Sequence, residues 1–193
     1  FVAETVESVL DQTYPHIEII VADDGSTDAT PSILESYRVR FPDRIKLVLA
    51  SQNIGIPGNI NRGLAQRTGA LTAWLDGDDV MLPAKLETQV RFLLENPQAT
   101  GCYHDADVFE SETGKSLGRM SMVYNGTPEL RQGVITNWAI PRNFFLPSSM
   151  MAWTRATPVH GYDERLKYLS EVVYFVETFR DGLLLAIDEV LVR

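Results

Sequence analysis

Hydrophobic residues recur at helical spacing in four segments of the first half, with short continuous apolar runs between them. The helical spacing predicts helices near residues 2–14, 29–37, 59–67 and 83–94. The continuous runs predict three buried parallel strands, at residues 17–22, 45–50 and 70–75. This α-β-α-β-α-β-α order predicts an α/β fold in which the three strands share one sheet with helices on both faces.

The second half has a less regular pattern. Its segments predict a strand over 103–109 followed by a glycine-containing hairpin or loop, loops with short helices over 120–150, a helix over 171–180 and a last strand or two over 183–192. No repeat or linker divides the chain, so we expect a single domain over residues 1–193.

Composition and charge limit the kinds of molecule that we expect this protein to bind. The 193 residues carry a formal net charge of −9 with a pI near 4.8. Nucleic-acid binding needs clustered Lys and Arg, so we expect no nucleic-acid partner. An anionic nucleotide stays compatible with this charge, because a bound divalent cation can supply positive charge locally. Cys102 is the only cysteine, which excludes an intrachain disulfide and a zinc site built on cysteines.

The start of the sequence, its apolar runs and its cysteine content suggest where in the cell the protein is found. No run of about 18 apolar residues occurs, so we expect no membrane span in this chain. The sequence starts at Phe1, without an initiator Met or a visible signal peptide, and we expect a fragment of a longer protein. A single cysteine favours a reducing compartment, so we expect a cytoplasmic location, which includes the inner face of the membrane.

Two acidic clusters follow predicted strands. Asp23 and Asp24 follow the first strand, and Asp76, Asp78 and Asp79 follow the third. Open α/β sheets bind ligands outside the carboxyl ends of their strands. Grouped carboxylates repel each other, and a hard divalent cation shared with ligand phosphates relieves that repulsion. Each cluster alone could simply cap a helix or solvate a turn, but two clusters at strand ends of one predicted sheet favour a shared site.

The order of these motifs resembles the inverting GT-A glycosyltransferases of family 2. The resemblance covers residues 2–95 and returns more weakly after residue 160. It rests on the stretches 7–15 (ESVLDQTYP), 23–28 (DDGSTD), 53–55 (NIG), 61–65 (NRGLA), 75–79 (LDGDD), 161–164 (GYDE) and 188–191 (DEVL). It implies one GT-A domain with a Rossmann-like, mixed and mainly parallel sheet whose first strand is missing here. Residues 1–100 would bind the nucleotide sugar, and 101–193 would form the acceptor side.

The resemblance assigns roles to both acidic clusters. Asp24, with Asp23 beside it, matches the carboxylate that accepts a hydrogen bond from a uracil-type base. Asp76 and Asp78 match the DxD motif, which binds the ribose and the Mn²⁺ or Mg²⁺ on the donor diphosphate, and Asp79 lies beside it. That cation neutralises charge on the departing nucleoside diphosphate. The implied nucleotide-binding residues are Asp23, Asp24, Asn53 and Asp76, and the implied metal ligands are Asp78 and Asp79.

One departure from the family pattern concerns the diphosphate. Many members have an Arg just before the Asn that corresponds to Asn61, but this chain has Ile60 there. Arg62 or Arg67 could serve the diphosphate instead, or the site lacks that cation.

A second departure concerns the base. Inverting transfer needs a carboxylate that accepts the proton of the acceptor hydroxyl. The family places it in an acidic pair at the start of a late helix, where this chain has Glu171 and Val172. We predict that Glu171 is the base. The alternatives are an exposed Glu favoured only by the helix dipole, or a base at Asp163, Asp105 or Asp107.

Together these implied roles predict a metal-dependent glycosyltransferase of the hexosyltransferase type. It would move a sugar, with inversion, from a nucleotide-diphosphate donor (UDP-type) to a hydroxyl of a glycan, lipid-linked or other acceptor. One alternative is a nucleotide-sugar-binding protein that has lost its base, as Val172 suggests. Another is a sugar nucleotidyltransferase, whose phosphate loop would lie outside this sequence. We expect His104, Trp138 and Trp153 to be structural, with an acceptor, metal or sugar contact as the alternative.

Overall fold

The computed structural model describes residues 1–135 and 146–193, so Trp138 lies outside the described residues. The first half alternates helices and strands as predicted. Its elements are α1 (Val2–Leu10), β1 (Ile19–Asp23), α2 (Thr30–Arg40), β2 (Ile45–Leu49), α3 (Ile56–Leu64), β3 (Leu71–Ala73) and α4 (Lys85–Glu95). Residues at the start of α2 favour its formation. Pro31 lies in its first turn, and the side chain of Asp28 accepts the amide of Thr30 at 2.9 Å.

The second half is organised around one long strand. Its elements are β4 (Ala99–Phe109), β5 (Ser116–Arg119), α5 (Met120–Asn125), β6 (Met151–Trp153), α6 (Ser170–Phe179) and β7 (Leu183–Val192), with 3-10 turns at Pro147–Ser149 and Thr154–Ala156. The predicted strand, hairpin, late helix and last strand are therefore confirmed. In the two described ranges, no helix is long and apolar enough to cross a membrane.

The strands form two sheets. β1 and β2 pair in parallel, with Ile19 opposite Ile45. The other strands follow the order β3-β6-β4-β5 in antiparallel pairs, and β7 pairs in parallel with β4. The predicted mixed α/β architecture is confirmed. The prediction that the first three strands share one sheet is wrong for the described residues, because β3 joins the second sheet.

A gap between β1 and β3 explains this difference. Ile20 and Ala22 of β1 and Leu71 and Ala73 of β3 line the same cavity of about 440 Å³. Residues of both strands also line a second cavity, of about 290 Å³, with residues of α1 and α4. The two strand edges therefore face each other across space instead of pairing.

The two halves are joined by an aromatic core. Trp74, directly after β3, packs edge-on against Phe175 of α6 with ring centroids 5.1 Å apart. Tyr174 of α6 stacks on Tyr162 at 4.3 Å, and both rings are buried. Aromatic burial and these ring geometries fix α6 against the end of β3. The helix that carries Glu171 is thereby held beside the strand that precedes Asp76.

We expect Gly101→Ala to destabilise the fold. A Cβ at Gly101 in β4 would lie 2.5 Å from the carbonyl oxygen of Met151 and 2.6 Å from a ring carbon of Phe179. Overpacking of this kind costs about 1–3 kcal/mol, which chemical denaturation measures. Gly77→Ala is the matched control, because its Cβ would meet nothing within 4 Å. Equal stability of the two variants would contradict the close packing of β4, β6 and α6.

Candidate functional site

The two acidic clusters meet at one cavity. Asp24 and Asp76 both line the cavity of about 440 Å³ between β1 and β3. Arg67 is the one Lys or Arg side chain among its lining residues in the described structure. The side-chain oxygen of Asn59 and the indole nitrogen of Trp74 also belong to lining residues and are buried without a hydrogen-bond partner. The cavity therefore offers both charged and neutral polar groups to a ligand.

The first cluster is held by backbone amides. The two carboxylate oxygens of Asp24 accept the amides of Ile54 and Gly55, at 2.8 and 2.9 Å. The side chain of Asn53 accepts the amide of Gly55 as well, at 3.1 Å. Each carboxylate oxygen has a further acceptor position, so Asp24 can still accept a hydrogen bond from a ligand. The sequence-predicted neighbours Asp24 and Asn53 thus lie on one loop surface.

Asp23 has a different environment from Asp24. Its side chain is buried and accepts the amide of Ser26 at 3.0 Å. Gly25 follows with a φ of +75°, and its backbone packs so closely on the Gln52–Asn53 peptide that a Cβ would lie 2.6 Å from the Gln52 carbonyl carbon. Asp23 therefore holds the turn that presents Asp24, and a direct contact of Asp23 with a nucleotide stays a prediction.

The second cluster forms a tight turn of like charges. The amide of Asp79 donates to the carbonyl of Asp76 at 3.2 Å, and Thr5 of α1 donates to the carbonyl of Gly77 at 3.0 Å. Although the Asp76 residue is exposed to solvent, the surrounding protein partly desolvates its carboxyl. That desolvation and the charges of Asp79, Asp78 and Glu171 raise the pKa of Asp76 to about 6. Burial and the charge of Asp78 also raise the pKa of Asp79.

This turn suits a cation that is shared with a ligand. No group of three or more His, Cys, Asp or Glu side chains in the described parts of the chain is arranged to enclose a metal ion. Mg²⁺ sites commonly use one or two carboxylates and complete their coordination with water and phosphate oxygens. Asp78 is exposed and Asp79 is half-buried, so both crowded carboxylates fit a hard divalent cation held partly by a diphosphate.

Glu171 lies close to the second cluster. It occupies the first turn of α6, and its negative charge raises the pKa of both Asp76 and the buried Tyr162, behind larger effects of burial and nearer groups. Leu169, just before the helix, has a φ of +62° and is the one non-glycine residue with a positive φ in the described ranges. Val172 packs against the aromatic core. The helix start therefore presents one carboxylate to the site.

The alternative bases are held in other contacts. Asp105 is buried and accepts the amide and the hydroxyl of Ser121. Asp107 pairs with Arg193 at 3.0 Å. Asp163 pairs with Arg165 at 2.7 Å, and that hydrogen bonding holds the pKa of Asp163 below its usual range.

His104 and Trp153 lie in the protein interior. His104 is buried, and burial together with the nearby charge of Lys85 lowers its pKa to about 3. Trp153 packs against a core cluster, with the guanidinium of Arg155 4.6 Å from its ring centroid. These positions agree with the structural roles expected for both side chains.

The two candidate arginines differ in position. Arg62 donates to the carbonyl of Leu49 at 2.7 Å. Arg67 lines the cavity and donates to Thr157 at 2.8 Å and to Tyr174 at 3.3 Å. Arg67 is therefore the better placed of the two for a diphosphate.

Ser148 is a site residue that sequence reasoning missed. Its hydroxyl accepts the amide of Asp76 at 2.9 Å, although 72 residues separate them. It lies in a segment of mixed loops and short helices where no local pattern marks a functional position. Only the preceding Pro147, typical of a turn, gives a local signal.

Comparison with known proteins identifies the family. The profile of Glycosyl transferase family 2 matches residues 1–155. Two similar proteins of Bacillus subtilis (strain 168) are the putative glycosyltransferase EpsE, 43% identical over 91 residues, and the putative teichuronic acid biosynthesis glycosyltransferase TuaG, 38% identical over 128 residues. These matches cover 47% and 66% of this chain. The chain spans less than half of either relative, 33% of EpsE and 45% of TuaG.

Solved structures of S. aureus TarS share the fold. TarS 1–349 superposes with a TM-score of 0.70 at 18% identity, covering 100% of this chain and 56% of that one. Its complex with UDP-GlcNAc gives a TM-score of 0.76 at 20% identity, covering 100% and 54%. At these identities the likeness shows the GT-A fold alone. The family profile covers more than half of the sequence, and the chain therefore belongs to glycosyl transferase family 2.

Proposed function

We propose that this chain is the donor-binding and catalytic core of an inverting glycosyltransferase that transfers a sugar from a UDP-type donor to a hydroxyl acceptor. Residues 1–100 bind the nucleotide sugar, and residues 101–193 supply the acceptor side and the base. The observation that carries the proposal is the meeting of Asp24 and Asp76 at one cavity, with the charge of Glu171 close enough to perturb Asp76. Family membership supports it independently.

Different residues of the chain bind different parts of the donor. Asp24 accepts a hydrogen bond from the base, and the loop amides at Ile54 and Gly55 fix its orientation. Asp76 receives the ribose hydroxyls. Asp78 and Asp79 would hold Mn²⁺ or Mg²⁺, and the bound ion would supply positive charge to the diphosphate. Arg67, at the same cavity, is available as a further positive group.

Glu171 acts on the acceptor. Its carboxylate accepts the proton of the acceptor hydroxyl while the oxygen attacks the anomeric carbon from the face opposite the nucleoside diphosphate, which gives inversion. The similarity to a putative teichuronic acid biosynthesis enzyme supports a hydroxyl of a glycan, free or lipid-linked, as the acceptor.

A second candidate function is a nucleotide-sugar-binding protein without transfer activity. It is favoured by Val172, which packs against the aromatic core at the position where the family pattern has its second carboxylate. The two candidates differ in turnover alone, since both bind the donor through the same acidic clusters.

We expect Asp78→Asn to remove nearly all Mn²⁺-dependent binding of UDP. The substitution keeps the shape of the side chain but removes a charge that the cation needs. Isothermal titration of UDP with and without Mn²⁺ measures the effect. Asp43→Asn is the control. Asp43 is an exposed Asp in the turn before the amino end of β2, whereas the two acidic clusters lie at the carboxyl ends of β1 and β3. Unchanged Mn²⁺-dependent binding in the Asp78 variant would refute its role.

We expect Glu171→Gln to retain UDP affinity and to lose turnover by about 10²–10⁴-fold, the usual contribution of a general base. Gln is nearly isosteric but cannot accept the proton at neutral pH. The assay is UDP release from a panel of UDP-sugars, with water as the acceptor. Glu177→Gln on the same helix is the control. Near-normal turnover of the Glu171 variant would show that another residue is the base. If the unsubstituted protein binds UDP-sugars but does not turn them over, the second candidate function, a binding protein without transfer activity, is favoured.

We expect Asp76→Asn to raise the melting temperature of the metal-free protein much more at about pH 7.5 than at about pH 4. The folded-state pKa of Asp76 is raised to about 6 from 3.8, so its ionised form is disfavoured by folding. The resulting destabilisation is complete above the folded pKa and disappears as pH falls below the unfolded pKa. Solvent screening limits the gain to a few degrees. An equal gain in melting temperature at both pH values would show that repulsion and desolvation of the ionised carboxylate are not the cause of the gain.

A further inference from the structure

Ser148, in the second half of the chain, contacts the start of the acidic turn. Its side chain is fully buried, and its oxygen accepts the amide of Asp76 at 2.9 Å. A buried hydroxyl that accepts this amide satisfies a backbone donor that the turn itself leaves without a partner. One buried group thus fixes where the acidic turn begins.

The segment that carries Ser148 is itself anchored. Ser149, the next residue, has its carbonyl bound by the side-chain amide of Gln89 in α4 at 2.9 Å. Gln89 is fully buried, and its side-chain oxygen accepts the ammonium of the buried Lys85 at 2.9 Å. The hydroxyl of Ser149 bonds the carbonyl of Leu146 at 2.8 Å. A network inside the protein therefore fixes the 3-10 turn against which the acidic turn rests.

We propose that Ser148 is a positioning residue for cation and diphosphate binding, holding Asp76 at the start of the turn that carries Asp78 and Asp79. The inference rests on the proposed function and adds a residue to it. Without the hydroxyl, the amide of Asp76 loses its partner, and the start of the turn is no longer held against the repulsion between its carboxylates. Removing residues that orient metal ligands typically costs about 10–100-fold in metal affinity.

The test compares Ser148→Ala with Ser149→Ala. Both remove a hydroxyl from the same turn, but the Ser149 hydroxyl contacts the carbonyl of Leu146 and not the acidic turn. Calorimetric titration of Mn²⁺ in the presence of UDP is expected to give affinity about 10-fold weaker or worse for Ser148→Ala, and near-parent affinity for Ser149→Ala. Thermal unfolding without metal shows whether the difference exceeds any general loss of stability.

A second measurement does not depend on metal binding. Hydrogen exchange of the Asp76 amide in the metal-free protein is expected to accelerate in Ser148→Ala and not in Ser149→Ala. Should Ser148→Ala not fold, Gln89→Met removes the amide that anchors the turn, and the same loss of Mn²⁺ affinity is expected. Parent-like affinity or unchanged Asp76 exchange in the Ser148 variant overturns the inference. A parent without Mn²⁺-dependent UDP binding overturns the proposed function, while Asp76 exchange still decides whether Ser148 holds the turn.

Discussion

Mutual repulsion of carboxylates is the constraint on which the site depends. Asp76, Asp78 and Asp79 share one turn, and the charge of Glu171 reaches it from another helix. Such a group is unfavourable by itself, so the surrounding structure must hold it in place. The hydroxyl of Thr5 in α1, the hydroxyl of Ser148 and the aromatic packing of α6 do so. The stability of the surrounding fold maintains a local arrangement that a cation would relieve.

The sequence predicted those features whose cause is local. Hydrophobic period predicted helices and strands, and the position of the acidic residues after strands predicted that Asp24 and Asp76 face one space. Sheet membership was not predictable in the same way. Pairing of β3 with β6 joins segments about 80 residues apart, and nothing in the pattern of either segment encodes that partner. The one-sheet prediction therefore failed although each strand was placed correctly.

The same limit applies to the site. Ser148 contributes through a hydrogen bond to a residue 72 positions away, and a serine after a proline in a loop has no pattern that marks it. Glu171 could be chosen from the sequence only by resemblance, with three aspartates as alternatives. The structure separates these candidates physically, because Asp105, Asp107 and Asp163 are held by Ser121, Arg193 and Arg165.

Arg67 connects the two halves of the protein through hydrogen bonds. Its guanidinium lies at the wall of the cavity between β1 and β3, and it donates hydrogen bonds to Thr157 and to Tyr174, which lies in α6. A guanidinium has five N–H donors, so an anion in the cavity can bind the remaining ones while these two bonds stay in place. The charge at the cavity wall and the position of α6 therefore depend on the same side chain.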